Sequence, residues 1–92
     1  MIGSFRHKGL RQLFENDIAR GVNAEHVQKL KQILLVMQAA QQIEGLNLPN
    51  FRLHPLTGDL KGFWSITVRA NWRVIFRFED GEASNIDLVD YH

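Results

Sequence analysis

Residues 51–92 read FRLHPLTGDLKGFWSITVRANWRVIFRFEDGEASNIDLVDYH, and their alternation of large apolar with polar or basic side chains decides the fold. A period of two marks half-buried β-strands. The stretch reads as a strand ending at His54-Pro55, a loop, and two hairpins that stop on Asp90-Tyr91-His92. In the first long strand Trp64, Ile66 and Val68 keep step, with Phe63 the exception. In the next, Trp72, Val74, Phe76 and Phe78 keep step, with Ile75 the exception. Every regular residue is even-numbered, so both strands bury the same face, and a one-residue slip would turn one of them inside out.

Even-to-even pairing predicts a three-residue loop, Arg69-Ala70-Asn71, with Asn71 left-handed. Val68 then faces Trp72, Ile66 faces Val74 and Trp64 faces Phe76. The same reasoning predicts Glu79-Asp80-Gly81 as the second loop, with Gly81 left-handed. That loop pairs Phe76 with Ser84, Val74 with Ile86 and Trp72 with Leu88. A two-residue Asp80-Gly81 turn is the alternative, but it carries Asp87 to the core face.

The opposite face collects Ser65, Thr67, Arg73, Ile75, Arg77, Asn85, Asp87 and Tyr91. In the leading strand Phe51 and Leu53 point to the core, and Arg52 and His54 to the open face. His54, Arg73 and Tyr91 therefore share one surface. Asp90 and His92 have the other parity and reach it only through a bulge or at the end of the sheet.

Upstream, Ile2–Phe5 suits a short edge strand. Leu10, Leu13 and Phe14 recur at helical spacing within Lys8–Asn16, where Gly9 costs about 1 kcal/mol relative to alanine. Residues 19–22 read as a loop. Asn23 suits an N-cap, and a second helix is expected to run to about Gln42, with Val27, Leu30, Leu34 and Met37 as its apolar stripe and Gly45 as a stop. Helices followed by a sheet predict an α+β fold, both helices on one face.

Ninety-two residues read as one domain, residues 1–92. Cysteine is absent, which excludes a disulfide framework and a thiolate zinc site. No apolar run approaches the ~20 residues of a membrane span, and Arg6, Lys8 and Arg11 precede no signal-like segment. The expectation is a cytoplasmic protein with no membrane association. Net charge is +1, too small to argue for nucleic-acid binding by itself. Its distribution is uneven: residues 1–31 hold six Lys/Arg against three Asp/Glu, and residues 32–92 hold five against seven. The basic half offers Arg6, Lys8, Lys29 and Lys31 as candidate RNA- or ribosome-facing cations, although a solvated helix face carries similar charge.

Histidines near a tyrosine, a carboxylate and an arginine suit acid–base work at phosphate. RNA strand cleavage takes a base for the 2′-hydroxyl proton, cationic donors for the charge on phosphorus, and an acid for the 5′-oxygen. A histidine pair divides the acid and base roles near neutrality. Arginine's planar fork matches phosphate oxygens. The plainer readings are a strand-end His54, an Arg73–Asp87 cross-strand pair, a Tyr91 that caps the core edge and a frayed His92. His7 and His26 lie on or near helices and receive no role. No H-x-x-x-H or phosphate-binding glycine loop is present.

Several motifs in one order carry a resemblance: I-x-S-F-x-H-K-G-L at residues 2–10, R-L-H-P-L at 52–56, G-F-W-S-I-T-V-R-A-N-W-R at 62–73 and D-Y-H at 90–92. The chain resembles the HigB toxins of the RelE/ParE superfamily almost end to end, least across residues 15–50. The resemblance implies a compact RelE-like fold, with helices on one side of a curved antiparallel sheet. It implies a metal-independent, cofactor-free ribonuclease toxin that cuts mRNA in the ribosomal A site. It implies as partner a HigA antitoxin, a helix-turn-helix protein with which it represses operator DNA. Catalytic roles carry over to His54, Asp90, Tyr91 and His92, and Arg73 takes the place of the superfamily's phosphate-contacting arginine. Thr57 departs from the pattern, since relatives often carry lysine there. Two rival readings are a ParE-like inhibitor that binds another macromolecule without chemistry, and a non-catalytic co-repressor. The His54…Asp90-Tyr91-His92 set favours the enzyme.

Overall fold

A computed structural model describes residues 1–91; the expectation placed on His92 lies outside the described residues. Helix α1 spans Lys8–Asn16 and helix α2 spans Val27–Ala39. The strands are β1 (His54–Pro55), β2 (Trp64–Arg69), β3 (Trp72–Glu79) and β4 (Glu82–Asp90), forming one antiparallel sheet in the order β1-β2-β3-β4. The fold is α+β, as the pattern predicts.

The even-numbered face is the inner one. Ile66, Val68, Val74, Phe76, Ile86 and Leu88 are buried with Leu10, Leu13, Leu30, Ile33, Leu34 and Met37 of the two helices, and Trp64 and Trp72 are half-buried against the same core. Phe51, fully buried, belongs to this core, and Leu53 packs against it. The backbone turns at Arg52, with φ 51°, which sends the chain from Phe51 into the short β1.

Both hairpin loops differ from the expectation. The first is the two-residue Ala70-Asn71, and the left-handed residue is Ala70 (φ 51°), not Asn71. Trp64↔Phe76 and Ile66↔Val74 pair as predicted, but Trp72 faces Arg69 across a bulge that begins after Thr67. The bulge absorbs the residue that the longer loop was meant to supply. The second loop is Asp80-Gly81, both residues at positive φ (51° and 78°), as a primed hairpin turn requires. Asp87 nevertheless avoids the core, because Asn85 (φ 53°) forms a bulge between Arg77↔Ser84 and Ile75↔Asp87. The pairing beyond it is Val74↔Leu88 and Trp72↔Asp90, two residues from the expected register and of the same parity. Ile86 and Leu88 are buried either way.

Ile2 and Phe5 make only isolated parallel bridges, to Ala83 and Ile86, so the expected edge strand is a pair of contacts along β4. In α1 the His7 side chain caps the Leu10 amide. A side chain on Gly9 would collide with the Gly21 carbonyl, so glycine is required where α1 meets the following loop. Asn23 caps as predicted, accepting from the Glu25 amide, but at a 3-10 turn, Ala24–His26, that leads into α2. Helix α2 ends before Gln42, since Ala40 is already extended, and Gly45 lies inside a second 3-10 turn, Ile43–Leu46. That turn folds Leu46 fully into the core.

Candidate active site on the outer face of the sheet

The outer face is less open than parity alone suggests. Ser65 and Ile75 are buried, and Ile75 packs with Leu56 and Phe63, with Leu60 and Val89 alongside. These residues explain both exceptions in the alternation. The β1–β2 connection contains the 3-10 turn Gly58–Leu60 and lies over the sheet, so Phe63 and Ile75 are apolar for a second, smaller cluster.

Along the rim of this cluster the strand register aligns three candidate residues. His54 faces Ser65, Thr67 faces Arg73, and Arg73 faces Val89. Two strand spacings and one two-residue step separate the His54 and Arg73 backbones, roughly 12 Å. Both side chains are long enough to reach a group held between them. His54 is solvent-exposed. Tyr91 follows β4, its amide donating to the Asn71 carbonyl at 2.7 Å, and it has the parity of Val89. Tyr91 is 49% exposed, so it does not cap the core.

Arg73 is half-buried and anchored on one side only. Its Nη1 donates to the carbonyls of Ala70 and Trp72, the first residue of the loop and of β3. Nε and Nη2 make no hydrogen bond among the described residues, which leaves the edge of the guanidinium that binds phosphate oxygens in pairs. The alternative pair with Asp87 does not form. Asp87 lies opposite Ile75, and its Oδ1 accepts from the Leu88 amide.

Asp90 is not on this face. It pairs with Trp72 and has core-face parity at the end of the sheet. Among the basic candidates, Arg6 lies over the Phe63 ring at 5.9 Å and Lys8 opens α1, exposed. Lys29 donates to the Asn50 carbonyl at 3.0 Å and sits 5.3 Å from the Phe51 ring centroid. Lys31 pairs with Asp17 at 2.7 Å. The two lysines lie on α2, on the layer covering the inner face. Among the described residues no group of three His, Asp or Glu converges to hold a metal ion, and no helix is long and apolar enough to cross a membrane.

The family model for the RelE-like HigB toxin of type II toxin–antitoxin systems matches residues 3–92. The chain belongs to that family. Endoribonuclease HigB of Proteus vulgaris is 48% identical over 92 residues, all of both chains. Toxin HigB-1 of Vibrio cholerae is 35% identical over 86 residues, 91% of this chain and 90% of its own. A crystal structure of YafQ from E. coli matches at a TM-score of 0.58 and 18% identity, covering 98% of this chain and 91% of that one, and a YafQ point mutant matches equally well. The likeness to YafQ is one of fold.

In this HigB-family toxin, Thr67 lies across from Arg73 on the outer face, where the alternation placed both, but sequence reasoning missed the pairing of Arg77 with the Phe63 ring. The signal for that contact was the odd parity of Phe63. It also missed that His26 is a buried residue packed on Trp72.

Proposed function

We propose that this toxin is an endoribonuclease that cuts mRNA in the ribosomal A site and so inhibits translation. The observation that carries the reading is the shared outer-face placement of His54, Arg73 and Tyr91, with the Nε–Nη2 edge of Arg73 unengaged. One imidazole, of His54 or His92, takes the proton of the 2′-hydroxyl. The 2′-oxygen attacks phosphorus, and Arg73 holds the non-bridging oxygens as their charge grows. The second imidazole, or Tyr91, gives a proton to the departing 5′-oxygen. The products are a 2′,3′-cyclic phosphate and a 5′-hydroxyl. Asp90, on the other face, acts by orienting a neighbouring terminal group. Nothing in this scheme draws on a metal.

Ribosome dependence follows from charge and entropy. A net charge of +1 grips free RNA weakly, and a ribosome presents the phosphate already positioned. Arg6, Lys8, Lys29 and Lys31 are the proposed RNA- or ribosome-facing cations. The exposed Lys31–Asp17 pair is a weak surface contact that an anionic partner can replace. A type II toxin has an antitoxin partner. We propose that here it is a HigA-like helix-turn-helix protein that carries the pair to operator DNA. The test is to map cleavage of a defined mRNA with and without ribosomes. Cuts at A-site codons only on ribosomes are expected. No cleavage in either condition, with translation still blocked, refutes the enzyme in favour of a binding inhibitor.

A further inference from the structure

Arg77 is held where the sequence offers no reason for a cation. Its guanidinium carbon lies 4.7 Å from the Phe63 ring centroid. A side chain on Gly62 (φ 96°) would meet its Nη1 at 2.8 Å, so the glycine leaves the space that the guanidinium fills. The Arg6 guanidinium shares the same ring at 5.9 Å. Phe63 is buried, so its ring is covered by these groups and the small apolar cluster rather than open for base stacking. Among the described residues neither arginine lies within salt-bridge distance of a carboxylate. Two positive groups gathered on one ring repel each other, and an anion between them relieves that repulsion.

We propose that Arg6 and Arg77, gathered on Phe63, form a second RNA-phosphate site that holds the messenger strand a few nucleotides from the bond cut beside Arg73. The inference rests on the endonuclease reading above. Arg73 and Arg77 share the outer face of β3 and are four residues apart, about 13 Å, a span that an extended single strand crosses in a few phosphates. Beyond Arg77 the charge reverses: Glu79, Asp80 and Glu82 line the groove on its far side. The hairpin tip therefore ends the track and turns the strand away.

The experiment uses the full chain with His54→Ala to prevent cutting, and compares it with the same chain carrying Arg6→Gln or Arg77→Gln. Binding of a single-stranded RNA oligonucleotide and of a dinucleotide is titrated against salt. Each arginine variant is expected to lose about tenfold or more in oligonucleotide affinity. The slope of log affinity against log salt should fall by about 0.7, and dinucleotide binding should be unchanged. With His54 restored, ribosome-bound mRNA should be cut with raised KM and unchanged kcat. Unaltered oligonucleotide affinity overturns the proposal, as does an equal loss for the dinucleotide, which would place the arginines at the cut itself. Loss confined to empty ribosomes assigns the site to ribosomal RNA, and loss confined to antitoxin assigns it to an acidic protein segment; either overturns it. Arg6 is exposed, so Arg6→Gln retains the fold and decides the matter even if Arg77→Gln unfolds. A wild-type chain that cuts no RNA refutes the endonuclease reading, while the binding titration still decides the site.

Discussion

The imidazole of His26 lies 5.7 Å from the indole of Trp72, ring to ring, tilted by 59°. The contact joins the 3-10 turn that opens α2 to the first residue of β3, immediately before Arg73. His26 is 4% exposed and its Nδ1 has no hydrogen-bond partner among the described residues. A buried polar atom left unsatisfied costs about 1–3 kcal/mol.

Replacing His26 with an apolar ring therefore removes a penalty along with a contact. His26→Phe is expected to change stability by less than about 1 kcal/mol in either direction, whereas Trp72→Ala should cost about 3 kcal/mol through lost packing. Denaturant unfolding of both variants checks this. A large loss for His26→Phe would mean that the imidazole holds a polar partner.

Arg73→Lys keeps the charge but loses the fork that donates to Ala70 and Trp72 with one nitrogen while offering its other edge. Cleavage should fall about 100-fold with little change in melting temperature. Activity within a few-fold of wild type would make Arg73 a hairpin brace and nothing more.

His54 is exposed on a two-residue strand, so its removal empties no cavity. His54→Ala should alter stability by less than about 1 kcal/mol and lower cleavage by ~10²-fold or more. Separate measurements of thermal unfolding and A-site cleavage test the two halves of that statement.

The Asn85 bulge sets the face of everything after it. Without it, a ladder running on from Arg77↔Ser84 would set Asn85 opposite Phe76 and turn Asp87 inward, whereas deleting Asn85 removes only the extra residue and keeps Ile86 and Leu88 on the core face if the turn at Asp80-Gly81 holds. The deletion is therefore expected to retain cooperative unfolding in a denaturant titration. Asn85→Gly, which suits the left-handed backbone, should be neutral or stabilising by up to about 1 kcal/mol, and Asn85→Val should cost about 1–2 kcal/mol.

Truncation after Tyr91 tests the catalytic role proposed for His92. The Tyr91 amide is bonded to Asn71 without it, so the fold should persist while cleavage drops by ~10²-fold. Near-normal cleavage by the truncated chain would remove His92 from the mechanism.

Parity and helical spacing alone determined which side chains form the core, because a period of two or of 3.6 admits one buried face per element. Trp64, Ile66, Val74, Phe76, Ile86 and Leu88 face the helices for that reason, and α1 has its predicted bounds. The motifs at residues 52–56, 62–73 and 90–92 likewise disclosed the family. Tertiary structure decided the register. A bulge adds one residue and shifts the phase of the alternation, as between the buried Ala83 and the buried Ile86, and Ala70 and Asn85 take left-handed backbone although neither is glycine. It also decided which exceptions matter: Phe63 and Ile75 look like errors of alternation until the 57–63 connection folds over the outer face. Burial of His26, and the meeting of Arg6 with Arg77 on one ring, join residues from opposite ends of the chain or from different layers. Such contacts depend on where the whole fold brings the backbone, and no local pattern records that.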